Sequence, residues 1–311
     1  MSVRLATGLT LNAGLHGEHA SITTTTEGPG IPAATGTDSA MLPQLRLSYQ
    51  AAEHELLYFT AAKGYGTGGT WVVLLLCPGE PPARIDEDTL WSYEAGAKSG
   101  LLDGHLQLDA GLFHMRWNNS GPGYALTYPC PSGGFLGGPG SAGSNGFDLT
   151  MHALAGTHVR ASVAVSYADA RYTQTITQNG FVVRKGLAVG TLPYVVAPWN
   201  VTASVEYSVP LSGGATAMLR AEDIFRSRNP GPFQDDDPAS FAYQPGNLPD
   251  PSTNLLNLRA MFRRESYDAA LFVNNALDSR PTILRRYNPP GPLYATTFRP
   301  RTVGLSVSWH F

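Results

Sequence analysis

With 14% charged residues over 311 positions, the chain carries much less charge than the roughly 25% usual for soluble domains. A net charge of −3 argues against a nucleic-acid partner, which would need a basic surface. No segment reaches the roughly 20 consecutive apolar residues of a spanning helix, the longest apolar run being Trp71 to Cys77.

Low charge without such a helix suits strands, which hide apolar residues by alternation. The 34 Gly and 24 Pro punctuate the chain with turns. Two cysteines exclude a disulfide-rich mini-protein and a four-cysteine zinc site. Met1-Ser2-Val3-Arg4 lacks the charged region, apolar core and cleavage site of a secretory leader. A barrel protein needs export, so the expectation is that an N-terminal part of the protein lies outside this sequence.

Period-two alternation recurs along the chain, and helical spacing is scarce. Leu9, Leu11, Ala13 and Leu15 flank Thr10, Asn12 and Gly14, and Leu45, Leu47 and Tyr49 flank Arg46 and Ser48. Trp91, Tyr93, Ala95 and Ala97 alternate with Ser92, Glu94, Gly96 and Lys98. Leu106, Leu108, Ala110 and Leu112 give way to Phe113, Met115 and Trp117, a phase slip of the kind a bulge produces. Val159, Ala161, Val163, Val165 and Tyr167 oppose Arg160, Ser162, Ala164 and Ser166. Trp199, Val201, Ala203, Val205, Tyr207 and Val209 oppose Asn200, Thr202, Ser204, Glu206 and Ser208. The run from Ala217 to Phe225 is mixed. The chain closes with Val303, Leu305, Val307, Trp309 and Phe311 against Gly304, Ser306, Ser308 and His310.

The connections set the architecture. Short ones fall near Ala51–Glu55, Leu101–Gly104, Gly156–Thr157, Leu211–Gly214 and Glu265–Ser266. Long ones fall near His19–Met41, Tyr65–Asp88, Asn118–Asn145, Tyr172–Val195, Ser227–Thr253 and Asp278–Phe298. Strict alternation of short and long, with aromatics at run ends, marks a transmembrane barrel with short periplasmic turns and long extracellular loops. The fold class is therefore all-β: an antiparallel transmembrane β-barrel of about 12 strands, partial or small and closed, with both chain ends on the short-turn side. A soluble β-sandwich also alternates, but explains neither the loop pattern nor the aromatic ends.

Candidate sites are few. Gly64-Tyr65-Gly66-Thr67-Gly68-Gly69 fits the dinucleotide-binding glycine pattern, but the following Thr70-Trp71-Val72-Val73-Leu74-Leu75-Leu76-Cys77-Pro78 offers no helix to hold a pyrophosphate. The eight histidines form no zinc spacing, and His114 and His152 are expected to line a lumen. Asp235-Asp236-Asp237 reads as a solvated loop tip, with cation binding as the alternative. Arg46, Glu94, Lys98, Arg160, Glu206, Arg259 and Arg263 suit a wet lumen or contact with a plug. Cys77 and Cys130 fall in consecutive long loops on one side, and are either a disulfide or two separate thiols. The apolar run Trp71–Leu76 packs on a ligand, on a neighbouring loop, or serves no function. No catalytic residue, metal or cofactor is assigned.

Particular stretches then resemble a known family. Arg299 to Phe311 looks like the last strand of TonB-dependent outer-membrane receptors. Its Val303, Leu305, Val307, Trp309 and terminal Phe311 resemble the signal read by the outer-membrane barrel assembly machinery. Leu271-Phe272-Val273-Asn274-Asn275-Ala276-Leu277-Asp278 resembles the family's penultimate strand, which often ends Asn-Asn-Leu-Thr-Asp; Ala276 and Leu277 depart from that wording. Leu57 to Gly69 and Thr89 to Gly104 are similar to a mid-barrel strand and to the strand and turn after it.

The resemblance implies residence in the lipid of the bacterial outer membrane. It also implies TonB-dependent uptake of a scarce nutrient, commonly a ferric siderophore. Large transporters of this kind have about 22 strands around a plug, so residues 1–311 are expected to be the C-terminal portion of such a barrel without its plug. Contact with TonB would then run through a missing N-terminal region. The competing classes are a small self-sufficient passive pore and a barrel phospholipase with Ser beside His.

Overall fold

The computed structural model describes residues 1–25, 34–71, 83–85, 87–118, 140–178, 181–183, 185–189, 196–233, 238, 243, 250–286 and 294–310. Strands β1 (Ser2–Ala6), β2 (Leu9–Thr24), β3 (Ala34–Ala52) and β4 (Glu55–Gly66) open the chain. A small hairpin of β5 (Gly69–Trp71) and β6 (Ala83–Ile85) precedes β7 (Asp88–Leu101), β8 (Leu106–Asn118), β9 (Ala142–Ala155) and β10 (Val159–Tyr172). After a second hairpin, β11 (Ile176–Gln178) and β12 (Phe181–Val183), come β13 (Trp199–Pro210), β14 (Thr216–Arg226), β15 (Thr253–Arg264) and β16 (Tyr267–Asn274). A third hairpin, β17 (Leu284–Arg286) and β18 (Tyr294–Thr296), precedes β19 (Thr302–Trp309).

Thirteen strands form one sheet in the order β1-β2-β3-β4-β7-β8-β9-β10-β13-β14-β15-β16-β19, each antiparallel to its neighbours. The sheet is not closed: β1 and β19 are its two edges. The thirteenth strand is β1, where the sequence led us to expect about 12. Five residues are too few to display alternation. The turn behind it rests on Gly8 at φ +76°, where an added Cβ would lie 2.6 Å from the Gln50 carbonyl oxygen. Because Met1 exchanges backbone hydrogen bonds with Ala13, the chain begins partway up the sheet rather than on the short-turn side.

Register turns the alternation into two faces. Across β10 and β13, Val159, Ala161, Val163, Val165 and Tyr167 pair with Tyr207, Val205, Ala203, Val201 and Trp199 on one face. Arg160, Ser162, Ala164 and Ser166 pair with Glu206, Ser204, Thr202 and Asn200 on the other. The same division runs through β13–β14, β15–β16 and β16–β19.

Two expectations change here. The first long loop is shorter than His19–Met41, because β2 and β3 stay paired up to Thr24 and Ala34. Ser and Thr there favour extended backbone, and Thr23–Thr35 and His19–Ser39 side chains hydrogen-bond across the hairpin at 2.9 and 2.8 Å. At that height the outer face is polar (His19, Ser21, Thr23, Thr35, Thr37 and Ser39) and the inner face is mixed (Ala20, Ile22, Gly36 and Asp38), so the apolar outer row ends while pairing continues. Nor is there a bulge in β8: its register with β7 runs unbroken from Leu101↔Leu106 to Thr89↔Asn118. Above Leu112, the apolar Phe113, Met115 and Trp117 simply occupy the inner face, while His114 and Arg116 stand outside beside Tyr93 and Trp91.

Inner-face aromatics are seated on glycines. Tyr58 lies opposite Gly96, Phe113 opposite Gly146 and Phe272 opposite Gly304. A Cβ on Gly304 would come within 2.3 Å of the Phe272 ring. Each ring covers backbone that glycine leaves bare, which pins the strand register.

The wall is one layer thick. Among the described residues the buried apolar side chains are only Ala40, Ala142, Leu187, Ala188, Ala215 and Phe233. Leu305, Leu112 and Val303 are 70%, 66% and 63% exposed. An outer surface so apolar needs a hydrocarbon solvent, not water.

Candidate functional site on the inner face and its rim

Cross-strand pairing gathers the polar inner side chains into networks. Arg160, Glu206, Arg220 and Arg259 are successive partners across β10, β13, β14 and β15. Glu206 takes Arg160 at 3.3 Å and Arg220 at 3.8 Å, and Arg220 also reaches Glu222 at 2.7 Å. Lower on the sheet, Arg263 meets Asp268 at 3.2 Å, and His310 approaches the same carboxylate at 3.4 Å. Near the other edge, the Tyr58 hydroxyl donates to Glu94, Arg46 lies 5.4 Å over the Tyr58 ring, and Lys98 faces Asp109 at 3.7 Å. Most of these cations are well exposed, so each pair contributes about 0–1 kcal/mol. The networks shape a wet electrostatic surface rather than a core.

All seven charged residues read as inward-facing from the sequence lie on this face: Arg46, Glu94, Lys98, Arg160, Glu206, Arg259 and Arg263. Sequence reasoning missed Arg220 and Glu222, because the mixed run of β14 hid them. Its inner residues include Met218 and Ile224, and its outer ones include Asp223. Of the histidines, His152 is inner, opposite Gln107 and Ser162. His114 is instead outer. It stacks on Tyr93 at 6.2 Å and shares a 2.7 Å hydrogen bond with Asn145, because its height on β8 is that of an aromatic girdle where a polar ring tip meets water.

The outer girdles are concrete. Trp91 stacks on Tyr93 at 5.8 Å, and Phe147, Tyr167 and Trp199 form a triangle with centroids 4.8–6.1 Å apart near the long-loop end. Near the short-turn end, Tyr267 stacks between Phe262 at 5.9 Å and Trp309 at 5.7 Å. Val303, Leu305, Val307 and Trp309 all lie on this outer face, opposite Val273, Leu271, Ala269 and Tyr267. Phe311, Cys77, Cys130, Asp235-Asp236-Asp237 and Val72–Leu76 lie outside the described residues.

The glycine pattern at Gly64–Gly69 runs from β4 into β5, so the described residues directly after it are strand rather than the helix N-terminus that a pyrophosphate cradle needs. Among the described residues no group of three or more His, Cys, Asp or Glu is placed to hold a metal. One Ser–His contact exists away from a turn, His19 Nδ1 to Ser39 Oγ, on the exposed β2–β3 hairpin. Among the described residues no carboxylate hydrogen-bonds that histidine, so the third member that orients a hydrolytic pair is lacking.

At the rim, Asn275 is 2% exposed with φ 51° and ties the two ends of the last long loop together. Its amide nitrogen donates to the carbonyls of Ser279 (2.9 Å) and Arg299 (3.0 Å), while its oxygen accepts from the Ser279 N–H at 2.8 Å. Asp278 accepts from the Arg301 backbone N–H at 3.0 Å and pairs with Arg280 at 2.8 Å. These two contacts, the backbone one first, hold the Asp278 carboxyl below the usual carboxylate range. This gives the Asn274–Asp278 stretch a physical meaning: it closes the base of a loop on β19.

Truncating Asn275→Ala leaves buried backbone groups unpaired, at a cost of about 1–3 kcal/mol. Amide exchange at Ser279 is expected to speed up about tenfold or more, and unchanged protection would show that the clamp does nothing. Because the Asp278 pKa is depressed by folding, its contribution is present above about pH 3.9 and is lost as pH falls through the folded value. Protection of the Arg301 amide should fade only in that acid range.

A one-layer antiparallel wall with an apolar outer face, two aromatic girdles, a charged inner face and alternating short and long connections is that of a transmembrane β-barrel. The model of the TonB dependent receptor-like β-barrel matches residues 1–276, and the chain belongs to that family, whose place is the bacterial outer membrane. The metal-pseudopaline receptor CntO of Pseudomonas aeruginosa (strain UCBPP-PA14) is 30% identical over 145 residues, covering 44% of this chain and 18% of the relative. The ferric yersiniabactin uptake receptor FyuA of Yersinia pestis superposes with a TM-score of 0.73 at 16% identity, over 98% of this chain and 44% of that one. The ferripyoverdine receptor of Pseudomonas aeruginosa gives 0.67 at 14% identity, over 99% and 37%. The chain thus spans less than half the length of these proteins, and the structural likenesses speak for the fold.

Proposed function

We propose that these 311 residues form the C-terminal portion of the barrel of an uptake receptor whose cargo is a metal held by a siderophore-type chelate. Energy would come from TonB, through a plug and N-terminal region outside this sequence. The observation that carries the reading is the coverage: nearly the whole chain superposes on under half of a ferric yersiniabactin uptake receptor. Thirteen strands against roughly 22 are somewhat more than half of such a barrel, which agrees with under half of a receptor that also carries a plug. Similarity to a metal-pseudopaline receptor supports a metal chelate as cargo.

The test is uptake of labelled metal chelates by cells lacking their own receptors. A full receptor containing this chain is expected to give TonB-dependent accumulation, and this chain alone, behind a leader, at most a passive leak. TonB-dependent accumulation by the chain alone would overturn the partial-barrel reading. No accumulation of any chelate by the full receptor would overturn the cargo.

A further inference from the structure

At the long-loop rim, the inner face of β13, β14 and β15 and the ends of the last long loop enclose a cavity of about 470 Å³. This is within the range of small-molecule sites. Its construction follows from register. Asn200, Arg226 and Thr253 are cross-strand partners in one row, with Ser227 beside them. The next inner row down places Ile224 opposite Leu255, and Ile283 and Phe298 complete an apolar lining. This hollow combines an apolar floor with a polar lip.

Arg226 is exposed and, among the described residues, has neither a carboxylate nor a hydrogen-bond partner. That contrasts with Arg160, Arg220 and Arg263, each of which is paired. Asp250, also in the wall of the cavity, has a partner of its own in the fold. Below the cavity the inner face of β13–β16 sets Arg220, Arg259 and Arg263 against Glu206, Glu222 and Asp268, so the charges there are matched, whereas Arg226 at the rim is not paired with a carboxylate among the described residues. A guanidinium fork beside hydroxyl and amide groups is suited to a carboxylate, which it can bind bidentately.

We propose that this rim cavity binds a carboxylate group of the incoming metal chelate, with Arg226 as the anchor. Asn200, Ser227 and Thr253 supply further hydrogen bonds, and the carbon skeleton lies against Ile224, Leu255, Ile283 and Phe298. The assignment rests on the uptake reading above for the origin of the ligand, and on this chain's own residues for its chemistry.

The test measures quenching of tryptophan fluorescence in the detergent-solubilised full receptor that contains this chain by ferric citrate, and by an uncharged ferric tris-hydroxamate as the comparison. Trp199, next to Asn200, is the near reporter. Saturable binding of ferric citrate is expected, weakened about tenfold or more in Arg226→Gln, only partly restored in Arg226→Lys, which keeps the charge but not the bidentate fork, and unchanged in Arg228→Gln, which alters an arginine outside the cavity lining. Hydroxamate quenching should be the same in all four proteins. Circular dichroism of each variant checks that the strands form.

Equal citrate affinity in wild type and Arg226→Gln, or a parallel loss with the hydroxamate, overturns the site while leaving the uptake reading in place. Normal citrate binding in a full receptor that accumulates no chelate overturns the uptake reading and leaves the carboxylate site.

Discussion

Replacing Leu271 by Arg is expected to destabilise the lipid-reconstituted protein by about 2–4 kcal/mol, whereas Ala270→Arg, one residue away, is expected to cost under about 1 kcal/mol. Leu271 sits in the middle of β16, opposite Ala260 on one side and Leu305 on the other, and it is 52% exposed. Those neighbours are apolar, so a guanidinium there faces hydrocarbon with nothing to pair with. Ala270 lies on the opposite face, between Met261 and Ser306, within reach of the wet surface that carries Asp268 and Arg263. Guanidinium unfolding in lipid vesicles measures both. Equal costs would mean that the two faces have been assigned the wrong way or that both are wet.

The same alternation explains what the sequence disclosed and where it fell silent. Where a strand crosses hydrocarbon, one face must be apolar, and β10, β13 and β19 announce themselves residue by residue. Above the girdles that demand lapses. Ser21–Thr37 and Thr23–Thr35 pair as securely as Leu11–Leu47, yet they leave no period to read. The apparent slip at Phe113 has the same origin. On β8 the outer face at girdle height carries His114 and Arg116 while Phe113, Met115 and Trp117 lie inside, and only the unbroken register with β7 and β9 shows that the strand itself is regular. β14 was obscure because Asp223 interrupts its outer face while Met218 and Ile224 dilute its inner one.

Of the inner site, single charges were legible because they sit between apolar neighbours. Their partners were not, since Arg160 and Glu206 are 46 residues apart in the chain and meet only through register. The rim cavity left no signature for a related reason. Asn200, Arg226 and Thr253 come from three strands, and Ile283 and Phe298 from the two ends of a loop. Asn275 is a different case: its stretch stood out only by resemblance, and the geometry of its amide supplies the reason.

Deleting Phe311 is expected to abolish most of the protein's accumulation in the outer membrane and leave the chain aggregated or degraded in the periplasm. β19 pairs with β16 along one edge, from Thr302 with Asn274 to Trp309 with Tyr267, and its other edge has no partner among the described strands. Lipid cannot satisfy those N–H and C=O groups. An exposed edge of this kind also templates aggregation in water. The strand therefore has to be escorted until its free edge is paired. We propose that the outward row Val303, Leu305, Val307 and Trp309, ending in Phe311, is what the barrel assembly machinery reads. The described four project from one face and are 61–70% exposed, open to recognition before insertion and to lipid after it. Two further variants separate recognition from lipid contact. Ser306→Ala with Ser308→Ala alters the inner face of the same strand and should leave membrane yield unchanged. Phe311→Leu keeps a lipid-facing apolar side chain but removes the aromatic ring, and should lower the yield nearly as far as deletion does. The readout is the folded, heat-modifiable band in isolated outer membranes. Full yield from the deletion would reduce Phe311 to an ordinary lipid-facing side chain, and full yield from Phe311→Leu would show that apolarity suffices without the ring.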